Sequence, residues 1–131
     1  MIAGNKLITF VALLTFVCLG IAATRPAPQK LRNLKVLPKD ISDEKLDSIM
    51  QTYNVALGVK CGFCHVPNRI LKDQLDFAAD GEPMKEEARR MITMTIAINK
   101  ENFWHNKNTE PAYLNTVHCN TCHRGEAFPE H

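Results

Sequence analysis

An all-α domain is what the sequence predicts, and three observations carry the prediction. Leu46, Ile49, Met50, Tyr53 and Leu57 recur at helical spacing, and so do Met84, Ala88, Met91, Thr95 and Ile98. No run alternates apolar and polar residues as a half-buried strand does. Two pentapeptides of one form, Cys61-Gly62-Phe63-Cys64-His65 and Cys119-Asn120-Thr121-Cys122-His123, follow the two helical stretches. A chain of 131 residues supports one small domain at most. Its formal net charge of +2 gives no strong basic field, so nucleic acid is not an expected partner.

The elements follow in order. Met1 to Lys6 carries one positive charge, Leu7 to Ala23 is almost continuously apolar, and Ala22, Ala23 and Thr24 are small. This pattern predicts a secretory signal over residues 1–23, cleaved after Ala23. An uncleaved membrane anchor is the alternative, because the apolar run is at the short end of what spans a bilayer. Cys18 reads as an apolar residue of that segment, with lipidation as its alternative. Residues 24–40 form a linker and N-terminal segment, extended at Pro26 and Pro28 and apolar at Leu31, Leu34, Val36 and Leu37. A single domain is expected over residues 41–131.

The first helix begins at Ser42, whose hydroxyl can cap free N–H groups, with Asp43 and Glu44 at the positive end of the helix dipole. Ile41 and Leu46 are placed as a hydrophobic staple, and Gly58 ends the helix. The second helix starts near Pro83 and runs to about Asn99, with Glu86, Glu87, Arg89 and Arg90 mostly solvated. Residues 100–110 are polar and Asn-rich, which predicts a loop. Pro111 opens a short helical turn leading to Cys119. The two helix–loop–motif units form a weak repeat with a period of about sixty residues.

Each Cys-x-x-Cys-His pentapeptide has the form of a covalent c-type haem attachment site. Two thiols three residues apart on a tight turn reach the two vinyl groups of one porphyrin, and the next residue aims an imidazole at the iron. Cys61, Cys64 and His65 are therefore assigned to one haem, and Cys119, Cys122 and His123 to a second. Disulfides or a four-cysteine zinc site would use the thiols but leave both histidines idle. The fold class is thus a small multihaem c-type cytochrome, with two helix–turn–motif units packed on two haems. Phe63, Phe77, Phe103, Trp104 and Tyr113 are expected to wall the porphyrins.

The opposite face of each iron separates a carrier from a catalyst. A methionine sulfur raises the potential and closes the site. Met50, on the apolar face of the first helix, is the candidate for the first haem, with packing against the porphyrin as the alternative role. Met91 and Met94 are both candidates for the second.

The segments Leu57 to His65, Ala88 to Thr95, Ile98-Asn99 and Cys119 to Gly125 resemble the cytochrome subunit of photosynthetic reaction centres. The resemblance covers roughly Val36 to Pro129, and this chain looks like one dihaem half of that tetrahaem subunit. It implies that Met50 and Met91, rather than Met94, are the sixth ligands. It also implies that Arg124, directly after His123, pairs with a haem propionate; a solvated arginine is the alternative. His105 falls fourteen residues after Met91, where one half of the family's subunit carries a ligand for a haem of the other half. A homodimer with His105 near its interface would rebuild that arrangement; a loop histidine beside Trp104 is the plainer expectation. His118 and His131 are expected at the surface. The segment Lys107 to Thr116 looks longer than the family's spacing.

The resulting expectation is an exported dihaem cytochrome that moves single electrons between periplasmic or membrane-associated redox partners, with no bond-making on a substrate. Its rival is a haem enzyme or sensor, peroxidase-like, with an open sixth position at the second haem.

Overall fold

The computed structural model describes residues 32–130, together with Ile8, Val11 and Leu14, which are helical and exposed. Apart from those three residues, the expected signal, with Cys18, lies outside the described residues, as do the linker up to Leu31 and the terminal His131. By contacts the chain divides into Met1–Lys30 and Leu31–His131. The second unit carries both pentapeptides.

Helix α1 spans Asp43–Leu57. Ser42 Oγ accepts the Lys45 N–H at 3.2 Å, and Asp43 and Glu44 occupy the first turn. Gly58 adopts φ 64°, ψ 29°, the left-handed conformation that glycine reaches without a Cβ penalty. Its N–H donates to Val55 O (3.3 Å) while the Val59 N–H donates to Asn54 O (3.0 Å), closing a Schellman motif. The first pentapeptide follows as a one-turn 3₁₀ helix over Cys61–Phe63.

An antiparallel hairpin comes next, β1 (Val66–Pro67) paired with β2 (Leu75–Asp76) in the register Val66 to Asp76 and Pro67 to Leu75. It corrects the expectation of a purely α-helical domain, although the fold remains mostly helical. Strands of two residues are too short to show alternation, and Pro67 argues against a strand from sequence. The turn chemistry holds the hairpin instead. Asn68 Oδ1 accepts the N–H groups of Ile70 (2.9 Å) and Leu71 (3.0 Å), and the Asn68 N–H donates to Gln74 O at 2.7 Å.

Helix α2 spans Pro83–Asn102, with proline in its first turn and three residues more than expected at its end. Lys100, Glu101 and Asn102 are polar, but no glycine or proline stops them, and polarity alone does not end a helix. The Asn102 amide donates to Ile98 O at 2.9 Å. Pro111–Tyr113 forms the expected helical turn, of 3₁₀ type, and the second pentapeptide forms the short helix α3, Cys119–His123.

Among the described residues the buried apolar side chains are Leu37, Ile41 and Ala56, so polar contacts carry much of the packing. Arg89 is buried rather than solvated, and so is Lys85. Lys85 Nζ donates to the carbonyls of Phe77 (3.0 Å), Ala78 (3.2 Å) and Ala79 (2.6 Å). Asp80 receives Lys35 (2.8 Å), Arg89 (2.9 Å) and Lys85 (3.2 Å), and Arg89 also donates to Asn33 O at 3.1 Å. Burying these cations is tolerable because each has a carboxylate and carbonyl partners. The stems of Lys85 and Arg89 supply apolar contact beneath the charged heads.

Candidate haem-binding sites

The first site lies between the end of α1 and the start of α2. Asn54 Nδ2 donates to Cys61 Sγ at 3.5 Å, and Cys64 Sγ donates to Met84 O at 3.9 Å, so each thiol is steered by a different helix. The His65 N–H donates to Cys61 O at 3.0 Å, which closes the turn between the first cysteine and the histidine. The ring meets Phe77 edge-on, centroids 5.0 Å apart. Burial, then the Lys85 and Arg89 cations, push its pKa down against the opposing pull of Asp76. A neutral imidazole results, the form that binds a metal. His65 Nδ1 is buried without a hydrogen-bond partner among the described residues. Met50 is half-buried one helical turn before Asn54, on the side of α1 that meets Cys61.

The second site is built on the other side of α1. A cleft of about 230 Å³ runs between Ile49 and Tyr53 of α1, Ile92, Thr95 and Ile96 of α2, and the stretch Leu114, Val117, His118 and Cys119. His118, expected at the surface, is half-buried and lines it. Burial raises the pKa of the Tyr53 phenol far above its ordinary value, with a contribution from Cys119, and burial likewise raises that of the Cys119 thiol. Thr121 Oγ1 accepts the His118 N–H at 3.1 Å, which starts the turn of the motif.

The end of that turn orients the histidine. Arg124 (φ 53°) and Gly125 (φ 91°) both take positive φ, and this double turn returns the Glu126 carbonyl to within 2.9 Å of His123 Nδ1. A bond from Nδ1–H to that carbonyl leaves Nε2 with its lone pair outward, the usual support of a metal-bound imidazole. The Gly125 N–H donates to Ala56 O at 2.9 Å, tying the second motif to the last turn of α1. Contact is so close that a Cβ on Gly58 would lie 2.1 Å from Gly125 O.

These donors fit haem c. Each motif presents two thiols and a histidine from a single turn, with one ring kept neutral by burial and the other held by a backbone carbonyl. A shared zinc site needs both cysteine pairs on one ion. Among the described residues no group of three or more metal-binding side chains gathers in that way.

The other sequence candidates are placed as follows. Met91 is 37% exposed and Met94 46% exposed on α2. At about 100° per residue, Met91 lies about 40° round the helix from the cleft-lining Thr95, and Met94 falls on the far side. Arg124 is exposed, and its side chain makes no ion pair among the described residues. His105 is exposed beside Trp104, whose Nε1 donates to Thr109 O at 2.8 Å and whose ring carries Lys107 Nζ at 3.9 Å.

Sequence reasoning gave Asn99 no role of its own. It is 1% exposed, donates to Leu114 O (3.1 Å) and Val117 O (2.7 Å), and accepts the Val117 N–H (2.8 Å). It therefore fastens the approach to the second motif onto α2. An asparagine among the apolar positions of a helix was the available signal.

A family model described as "Photosynthetic reaction centre cytochrome C subunit" matches residues 20–131. The photosynthetic reaction center cytochrome c subunit of Roseobacter denitrificans is 36% identical over 100 residues, covering 74% of this chain and 24% of that protein. The chain thus spans about a quarter of the length of that curated relative. No solved structure matches.

Proposed function

Since the chain belongs to the photosynthetic reaction centre cytochrome c subunit family, we propose that it is an exported dihaem carrier of single electrons. The observation that carries the reading is the pair of single-turn Cys-x-x-Cys-His sites walled by opposite sides of α1. Cys61, Cys64 and His65 hold the first haem in it, and Cys119, Cys122 and His123 the second. Bound haem supplies a one-electron iron couple whose potential follows axial ligand, burial and hydrogen bonding. Met50 closes the first site, as its position beside Asn54 and Cys61 supports. Met91 closes the second, supported by its place next to Thr95; Met94, on the far side of α2, packs or stays in solvent. Arg124 is assigned to a propionate of the second haem.

In this reading residues 1–23 export or anchor the chain, residues 24–40 link, and residues 41–131 form the dihaem domain outside the cytoplasm. Donor and acceptor are redox proteins, one of them belonging to a membrane complex, as the name of the relative suggests. His105, exposed and unburdened, is available to a second copy of the chain.

Near-infrared magnetic circular dichroism of the oxidised holoprotein, with two haems verified by mass, tests the assignment. Two methionine-to-iron charge-transfer signals are expected, one lost in Met50→Ala and the other in Met91→Ala. One specific observation favours a second reading, the peroxidase-like enzyme or sensor: Met91 is more exposed than an enclosed ligand needs to be. Rapid carbon monoxide binding to the reduced protein, with one charge-transfer signal missing, would shift the weight to it.

A further inference from the structure

The hairpin after the first motif carries, at its tip, the most exposed large apolar side chain among the described residues. Ile70 is 89% exposed and its neighbour Leu71 is 53% exposed. Basic residues flank the pair, giving the run Asn68-Arg69-Ile70-Leu71-Lys72. The exposure belongs to a built turn. Asn68 Oδ1 holds the N–H groups of Ile70 and Leu71, and the Gln74 N–H closes onto Leu71 O at 2.9 Å. A surface that meets this tip therefore has little chain entropy to remove.

Charge points to the kind of surface. Arg69 and Lys72 make no ion pair among the described residues, as Lys39, Lys60, Lys100 and Arg124 make none, whereas Arg32, Lys35, Lys85, Arg89 and Arg90 are each bound to a carboxylate. Asp76 is turned to the root of the hairpin, where its Oδ1 accepts the N–H groups of Ala78 (3.0 Å) and Ala79 (2.9 Å). The turn from Asn68 to Gln74 thus presents Arg69, Lys72 and the exposed Asp73, a net charge of +1, around two apolar side chains. One turn of seven residues is short of the about 20–30 residues that each side of a stable protein interface supplies. It suits a deformable anionic layer into which apolar side chains sink while cations meet phosphate.

We propose that the hairpin tip, Asn68 to Lys72, is a membrane-contact element. Ile70 and Leu71 enter the boundary between headgroups and acyl chains of an anionic bilayer, and Arg69 and Lys72 rest on lipid phosphates. The hairpin is rooted at the first site, since Val66 follows His65 and Phe77 packs on its ring. Contact at the tip holds that site close to the lipid surface, since only the two strand residues Val66 and Pro67 separate His65 from the turn. The proposal does not depend on which ligand closes either iron.

The test is sedimentation of the full holoprotein with phosphatidylcholine vesicles, with and without phosphatidylglycerol. Wild type is expected to partition to the anionic vesicles. The double variant Ile70→Ser/Leu71→Ser should lose at least about tenfold in partition, and Arg69→Gln/Lys72→Gln about thirtyfold. Phe128→Ser, at another exposed apolar residue, should leave partition unchanged, and all variants should keep the wild-type absorption spectrum. Hydrogen exchange of wild type is measured alongside, because the N-terminal segment is a second route to the bilayer. If every variant stays bound, slower exchange at residues 68–72 on vesicle addition supports the proposal, and unchanged exchange overturns it. Failure of wild type to bind anionic vesicles overturns it too. So does a tip that ignores vesicles while its substitution slows electron exchange with a redox protein, which would make the occupant a protein.

Discussion

Asn99 shows how much one side chain can organise. Its amide makes three hydrogen bonds to backbone 15 and 18 residues away while being almost wholly buried. Truncation leaves two carbonyls and an N–H without partners, each costing about 1 kcal/mol or more. Asn99→Ala is expected to lower the unfolding free energy of the holoprotein by about 3 kcal/mol, measured by guanidinium titration. In the proposed dihaem form, the spectrum of the haem at the second motif should change with it while that of the haem at the first does not. The motif residues stand out in the sequence because the proposed covalent attachment requires its groups within five consecutive positions. Asn99 does not, because its partners are distant in sequence and a helical asparagine has no distinctive spacing. The turn at Arg124 and Gly125 was equally hidden: its product, the Glu126 carbonyl at His123 Nδ1, depends on two positive φ angles that only the folded backbone displays.

At the scale of elements, α1 does the most. Its periodicity, Ser42 cap and Gly58 stop were readable, and the structure reproduces each. That one helix would wall both sites was not readable, since the apolar positions look like one face until partners on two sides are known. The hairpin escaped for a different reason, its strands being shorter than any pattern. Helix α2 ran past its expected end because no residue there forbids helical backbone. Gly58→Ala probes the junction between α1 and the first motif. Left-handed backbone costs a non-glycine residue about 1–2 kcal/mol, and the new methyl would press on Gly125 O, adding a backbone shift of about 1–3 kcal/mol. A loss of about 3 kcal/mol is expected in denaturant melts. Gly62→Ala, where an added Cβ meets nothing within 4 Å, should cost under about 1 kcal/mol.

At the scale of the whole molecule, Asp80, in the turn after β2, joins the segment at Lys35, 45 residues earlier in the chain, to α2 through Lys85 and Arg89. Hydrogen bonds from Lys35 and Arg89, then from Lys85 and Asn33, hold its carboxyl well below the usual carboxylate range. Glu86 is depressed as well, chiefly by Arg89. Both groups therefore release protons more readily in the folded chain than in the unfolded one. Their stabilisation is complete above the unfolded carboxylate range, near pH 4, and is lost as pH falls through the folded values. Circular dichroism of the holoprotein against pH should show an acid limb below about pH 4. Asp80→Asn should shallow that limb and lower the denaturation midpoint at neutral pH, because it removes the carboxylate of two buried cations.

The backbone crossing of Gly58 and Gly125 has a consequence for descent. These positions are 67 residues apart, yet Gly58 cannot acquire a side chain without Gly125 yielding, whereas a Cβ on Gly125 meets nothing within 4 Å and is opposed by its positive φ alone. Lineages that keep the double turn after the second motif are expected to keep glycine at the end of α1, and a larger residue there should appear only where that turn has changed. The dependence would then run one way, visible as a glycine at the end of α1 conditional on that turn across an alignment of the family.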